Sequence, residues 1–138
     1  MSGRLLLVDG HAYAYRSFYA IRNMRSPSGS PTNAIFGFIK SLAKMRARVE
    51  PTHVAVVWDG GLDEERRRDL PDYKAQRPEM PADLSVQIDE LVAYLGAEGL
   101  RSVCHDGVEA DDLIATLTRM ARQDGLNVVI ARDRKSVV

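Results

Sequence analysis

One cysteine, Cys104, stands in 138 residues. That excludes an internal disulfide framework and fits a reducing compartment. His11, His53 and His105 are scattered, so no His/Cys cluster has the spacing of a zinc site. The opening MSGRLLLVDG carries too short an apolar run for a signal peptide or a membrane span. A cytoplasmic location with no membrane partner is therefore expected. Net charge is also missing, since 19 basic residues balance 19 acidic ones. No whole-molecule field attracts nucleic acid, and any such partner must be met by local patches. There is no internal repeat and no low-complexity tract. The length suffices for one domain with a core, near the lower end for a complete enzyme.

What is present alternates. Leu5–Val8 is a buried-strand run closed by Asp9, and Tyr13–Arg22 reads as helical. Ser26–Pro31 is a loop by composition. Thr32 or Asn33 can cap a helix carrying Ile35, Phe38, Ile39, Leu42 and Met45 at three-to-four spacing. Val54–Trp58 is a second strand, again closed by an acid, Asp59. Gly60–Pro81 is polar and weakly patterned. Leu84, Ile88, Leu91 and Leu95 mark a helix ending near Gly96 or Gly99, and Leu100–Cys104 a third strand. Leu113, Ile114, Leu117 and Met120 mark another helix stopped by Gly125, before a fourth strand at Val128–Ala131. This order predicts an α/β fold with a mainly parallel sheet.

Asp9, Asp59 and the group Glu109, Asp111 and Asp112 each fall at or just after the end of an expected strand. Ligands bind at that edge of open α/β sheets. One aspartate after a strand is ordinarily a turn or cap residue, and acids suit the start of any helix. Their repetition at three strand ends argues for more. A carboxylate cluster repels itself and is tolerated when it holds hard cations such as Mg²⁺ or Mn²⁺. Glu109 and Asp112, three apart, can share a helical face, whereas Asp111 points elsewhere unless it lies on the opening turn. The basic run Arg66, Arg67, Arg68, Tyr73, Lys74 and Arg77 reads either as a solvated face or as a phosphate grip with a tyrosine able to stack on a base.

LLLVDG, AYRSFYA, SGSPTNAIFGF, PTHVAVVWD, DYKAQRPEMP and GVEADDLIATL together closely resemble successive motifs of one family. It is the 5′-3′ exonuclease (flap endonuclease-like) domain of bacterial DNA polymerase I. The resemblance implies a PIN-like three-layer fold, a mainly parallel sheet flanked by helices, with its C-terminal part missing here. It implies metal-dependent hydrolysis of DNA phosphodiester bonds, removing 5′ flaps and RNA primers in replication and repair. By position, Asp9, Asp59, Glu109, Asp111 and Asp112 match the metal-site acids. Arg66, Lys74 and Arg77 match basic residues of a helical arch, spanning about 60–81, with Arg67 and Tyr73 beside them. Gly29, Thr32 and Asn33 match a segment near duplex DNA. Lys74 and Arg77 join the acids as catalytic residues, and two Mg²⁺ or Mn²⁺ ions are implied. A fused polymerase domain is the expected neighbour in the parent protein.

The tail departs from that pattern. The family carries two acids after its fourth strand; Asp133 fits the first, but Lys135 stands at the second. Asp-Arg-Lys-Ser-Val-Val is also the translation of GAT CGG AAG AGC GTC GTG, a run in a common sequencing adapter. Residues 1–132 are therefore read as the N-terminal part of the domain and 133–138 as a non-native tail, which sets Asp133 apart from the metal acids. The same features leave three other readings open. They are a non-catalytic DNA-binding remnant, a small PIN-type ribonuclease and, more weakly, a haloacid-type phosphatase; the last lacks an Asp two residues after Asp9.

Overall fold

The computed structural model describes residues 3–60 and 80–132. β1 (Arg4–Asp9) runs directly into α1 (Gly10–Ala20), and α2 (Asn33–Val49) leads to β2 (His53–Val57). After α3 (Ala82–Ala97) come β3 (Arg101–Val103), α4 (Ala110–Gln123) and β4 (Asn127–Ala131). The strands form one sheet in the order β3-β2-β1-β4, and every pairing is parallel. Strand order turns back at β1, which lies between β2 and β4. This is the switch point beside which α/β sheets open a crevice at their carboxyl edge.

Side chains alternate across the sheet as the pleat requires. Leu6, Val8, Val56 and Trp58 join Phe38, Leu42, Leu84, Leu91 and Leu95 in a core under α1, α2 and α3. Leu7, Ala55 and Val57 face the other way, onto Ala110 and Ile114 of α4. The result is the three-layer α/β arrangement expected from the sequence. Fully burying each of these leucines and valines is worth about 1.5–3 kcal/mol.

Of the boundaries that differ from the periodicity, two have a clear physical reason. α1 starts at Gly10 rather than Tyr13, because Asp9 ends the strand and caps the helix at once, its Oδ1 accepting from the Ala12 N–H at 3.1 Å. β3 is shorter than Leu100–Cys104, since only Arg101–Val103 pair with β2. Among the described residues no helix is long and apolar enough to cross a membrane.

Candidate metal and nucleic-acid site

The carboxyl edge of the sheet gathers the acids from three chain segments. Asp9 leaves β1, Asp59 follows β2 by two residues, and Glu109 is the N-cap residue of α4 with Asp111 and Asp112 in its first turn. The Asp9 carboxyl is held above its ordinary range. Burial is the main cause; the charges of Asp111 and Asp59 add to it, while the Ala12 N–H and His11 oppose it. Acids from two other places in the sequence thus act on Asp9. Asp111 lies on the opening turn of α4, the condition under which it faces the cluster. Of this group, Asp111 has a charge that reaches Asp9.

The strand-end loops are fastened together. The Asp59 N–H donates to Nδ1 of His11 at 2.9 Å, so that nitrogen is the acceptor and the neutral ring carries its proton on Nε2. The Trp58 N–H donates to the Val103 carbonyl at 2.8 Å and the Gly60 N–H to the Val108 carbonyl at 3.0 Å. A Cβ on Gly60 would stand 1.9 Å from the His105 carbonyl oxygen, so glycine permits the loops to approach. Gly10 does the same for Trp58, whose ring atoms would lie 2.6 Å from a Cβ there. The Trp58 ring stacks on Phe38, meets His11 edge-on and donates to Ser102 Oγ at 3.1 Å.

Sequence reasoning passed over two residues at this edge. His11 was one of three scattered histidines, and its partner is a backbone N–H 48 residues away. Tyr15 lies one helical turn further along α1. Its phenol is pushed up by burial, then by Tyr19 and Asp59, so it flanks the β2 acid. Asp59 also acts on Cys104, whose thiol is raised by burial first, then by Asp106 and Asp59. That exposed thiol is held in its protonated form and has little nucleophilic character.

The carboxylates supply hard oxygen donors, the chemistry that suits Mg²⁺ or Mn²⁺. Among the described residues no three His, Cys, Asp or Glu form a ready-made ligand group. The N-termini of α1 and α4 start at this edge and offset part of the negative charge. An open depression of about 440 Å³ lined by Ala115, Thr118, Arg119, Arg122 and Gln123 lies along α4 and includes none of the acids.

The expected duplex-contact segment divides. Gly29 sits in a turn at φ 94°, and Arg25 bridges its carbonyl at 2.9 Å to Asp83 at 3.2 Å. Thr32 precedes α2 without capping it through its side chain. Asn33 is only 7% exposed, and its amide donates to the carbonyls of Phe18 and Ile21 at 2.7 and 2.8 Å. Its side chain is engaged inside the protein, where it fastens α1 to α2. Arg66, Arg67, Tyr73, Lys74 and Arg77, and Asp133, lie outside the described residues.

Residues 4–137 match the model of a family described as 5′-3′ exonuclease, N-terminal resolvase-like domain. DNA polymerase I of Pseudomonas aeruginosa is 40% identical over 133 residues, covering 96% of this chain and 15% of that protein. DNA polymerase I of Geobacillus stearothermophilus is 38% identical over 135 residues, covering 97% and 15%. The chain thus spans about 15% of the length of these curated relatives. Among solved structures, the bacteriophage T5 flap endonuclease in complex with DNA and metal ions superposes with a TM-score of 0.62 at 23% identity, over 96% of this chain and 50% of that one. T5 5′-exonuclease with bound zinc gives 0.61 at 23% identity, over 92% and 48%. The catalytic core of Rad2 with DNA substrate gives 0.53 at 16% identity, over 94% and 42%. At these identities the structures establish a shared fold.

Proposed function

The chain belongs to the 5′-3′ exonuclease N-terminal resolvase-like family, and from that premise we propose that it carries the acidic half of a divalent-metal-dependent 5′-3′ exonuclease and flap endonuclease. The observation behind this reading is the gathering of Asp9, Asp59 and the start of α4 at the carboxyl edge of the sheet, where the charges of Asp111 and Asp59 both reach the Asp9 carboxyl. Its substrate is DNA with a 5′ flap or a single-strand/double-strand junction, including RNA primers. Its setting is cytoplasmic replication and repair, alongside a fused polymerase domain.

Asp9, Asp59, Glu109, Asp111 and Asp112 would hold one or two Mg²⁺ or Mn²⁺ ions. Bound there, such ions lower the pKa of an attacking water and stabilise the leaving oxygen. The protein's own part is positional. α1 and α4 fix the carboxylates, the fastened loops set their spacing, and the buried wall of Trp58 and Phe38 backs the edge. Arg66, Arg67, Lys74 and Arg77 would grip phosphates flanking the scissile bond, with Tyr73 stacking on a base.

Mg²⁺-dependent cutting of a 5′-flap substrate tests the reading. The parent chain, or this chain joined to the remaining half of a relative's domain, should cut. Asp9→Ala and Asp112→Ala should stop cutting and leave salt-sensitive DNA binding intact. Cleavage by Asp9→Ala equal to the parent's sinks the proposal. Retarded DNA without nicks would instead favour a DNA-binding module that does not cut.

A further inference from the structure

We infer that His11 is a positioning residue for the Asp59 carboxylate, acting through the lone pair on its Nδ1. This rests on the metal reading of the acidic edge given above.

Asp59 lies just past β2, where the ladder with its neighbours has run out: Val57 is the last residue of the strand paired with β1 and β3. Its backbone direction is therefore set by contacts outside the sheet. On one side the Gly60 N–H is tied to the Val108 carbonyl. On the other the Asp59 N–H is tied to His11 Nδ1 at 2.9 Å. His11 sits in the first turn of α1, two residues from Asp9, and its ring is held edge-on against Trp58 at 5.4 Å between centroids. One imidazole thereby links the segment bearing Asp9 to the segment bearing Asp59. The direction of the bond matters, because a backbone N–H can be met only by an acceptor. Groups that orient metal-binding side chains change metal affinity by roughly 10–100-fold when removed.

The design separates ring from acceptor. Asparagine places Oδ1 where Nδ1 stands, two bonds from Cβ, and discards the ring. Phenylalanine keeps the ring against Trp58 and discards the acceptor. The full chain is titrated with Mn²⁺ alone, and protection of the Asp59 amide against hydrogen exchange is measured without metal. His11→Phe should weaken Mn²⁺ binding about tenfold or more and unprotect the Asp59 amide. His11→Asn should retain both properties to within about twofold of the parent. If His11→Phe does not fold, His11→Ala replaces it, since water can then reach the exposed N–H.

Equal Mn²⁺ affinity in the parent and His11→Phe overturns the inference alone. An equal loss in His11→Asn and His11→Phe also overturns it, by assigning the effect to the ring. A parent that binds no Mn²⁺ overturns the metal reading and this inference with it.

Discussion

Asn33 and Gln87 are hydrogen-bonded to each other inside the helical layer, Gln87 Nε2 donating to Asn33 Oδ1 at 2.9 Å. Gln87 is fully buried, and its Oε1 accepts from the Ala34 and Ile35 N–H groups at 2.7 and 3.1 Å. It therefore does for α2 what a capping side chain does, from a different helix. Asn33 meanwhile accepts no solvent role, because its amide closes the last carbonyls of α1. Two carboxamides thus lock α1, α2 and α3 into one unit behind the acidic edge.

Removing either partner strands buried polar groups, which costs about 1–3 kcal/mol per group. Gln87→Ala should be the costlier change, since it orphans two N–H donors of α2. The double variant should cost less than the sum of the single ones, because the shared bond is lost only once. Urea unfolding of the four proteins measures this. The salt dependence of DNA binding should not change in Asn33→Ala; a reduced slope at unchanged stability would return Asn33 to the DNA surface.

Glycine substitutions should separate close approach from backbone twist. At Gly60 a methyl group meets the His105 carbonyl oxygen at 1.9 Å, and that oxygen belongs to backbone that cannot swing aside. Gly60→Ala should lose about 1–3 kcal/mol of stability and weaken Mn²⁺ binding, since the loops carrying Asp59 and Glu109 must part. At Gly29 a methyl group meets nothing within 4 Å, but φ is 94°. Gly29→Ala should cost about 1–2 kcal/mol from the left-handed backbone and leave Mn²⁺ affinity alone. Thermal unfolding with parallel Mn²⁺ titration distinguishes the two.

Much of this was legible in advance, for reasons that differ by residue. Leu5–Val8 and Val54–Val57 announce strands because both faces of the sheet are covered, which demands continuous apolar runs. Asp9 and Asp59 stand out because each is the first charge after such a run. Asp111 could not be ranked against Asp112, because a helical face is defined only once the helix start is known to a residue. Gln87 and His11 were invisible for another reason. Each is polar, and each has its decisive partner more than 45 residues away in the backbone of another element. No local pattern records such a bond.

The basic residues 66–77 offer a prediction from chemistry alone. If Lys74 and Arg77 neutralise phosphates, each alanine replacement should reduce the slope of log affinity against log salt by about 1. Flap and blunt duplex substrates should be affected alike. An unchanged slope in both variants would assign these residues to a solvated surface.

Asp9 carries two opposed effects that substitution can pull apart. Its carboxyl caps α1 through the Ala12 N–H and is raised by burial and by Asp111 and Asp59. With its folded-state pKa above the unfolded value of 3.8, the native chain binds more protons than the unfolded one between those two values. Stability should therefore fall as pH rises through that window and stay at the lower level above it. Asparagine keeps the cap and removes the charge, because Asn and Asp cap equally well. Asp9→Asn should thus raise the thermal midpoint of the metal-free chain at pH 7 and flatten its change with pH across that acid window. Asp9→Ala also loses the cap, about 1 kcal/mol, and should fall below Asp9→Asn. Mn²⁺ should raise the midpoint of the parent but of neither variant, since binding to the folded state alone stabilises it. A metal-free Asp9→Asn midpoint at or below the parent's at pH 7 would mean that burial and the neighbouring acids do not burden the Asp9 charge enough to matter. The strand-end cluster would then be an ordinary solvated edge.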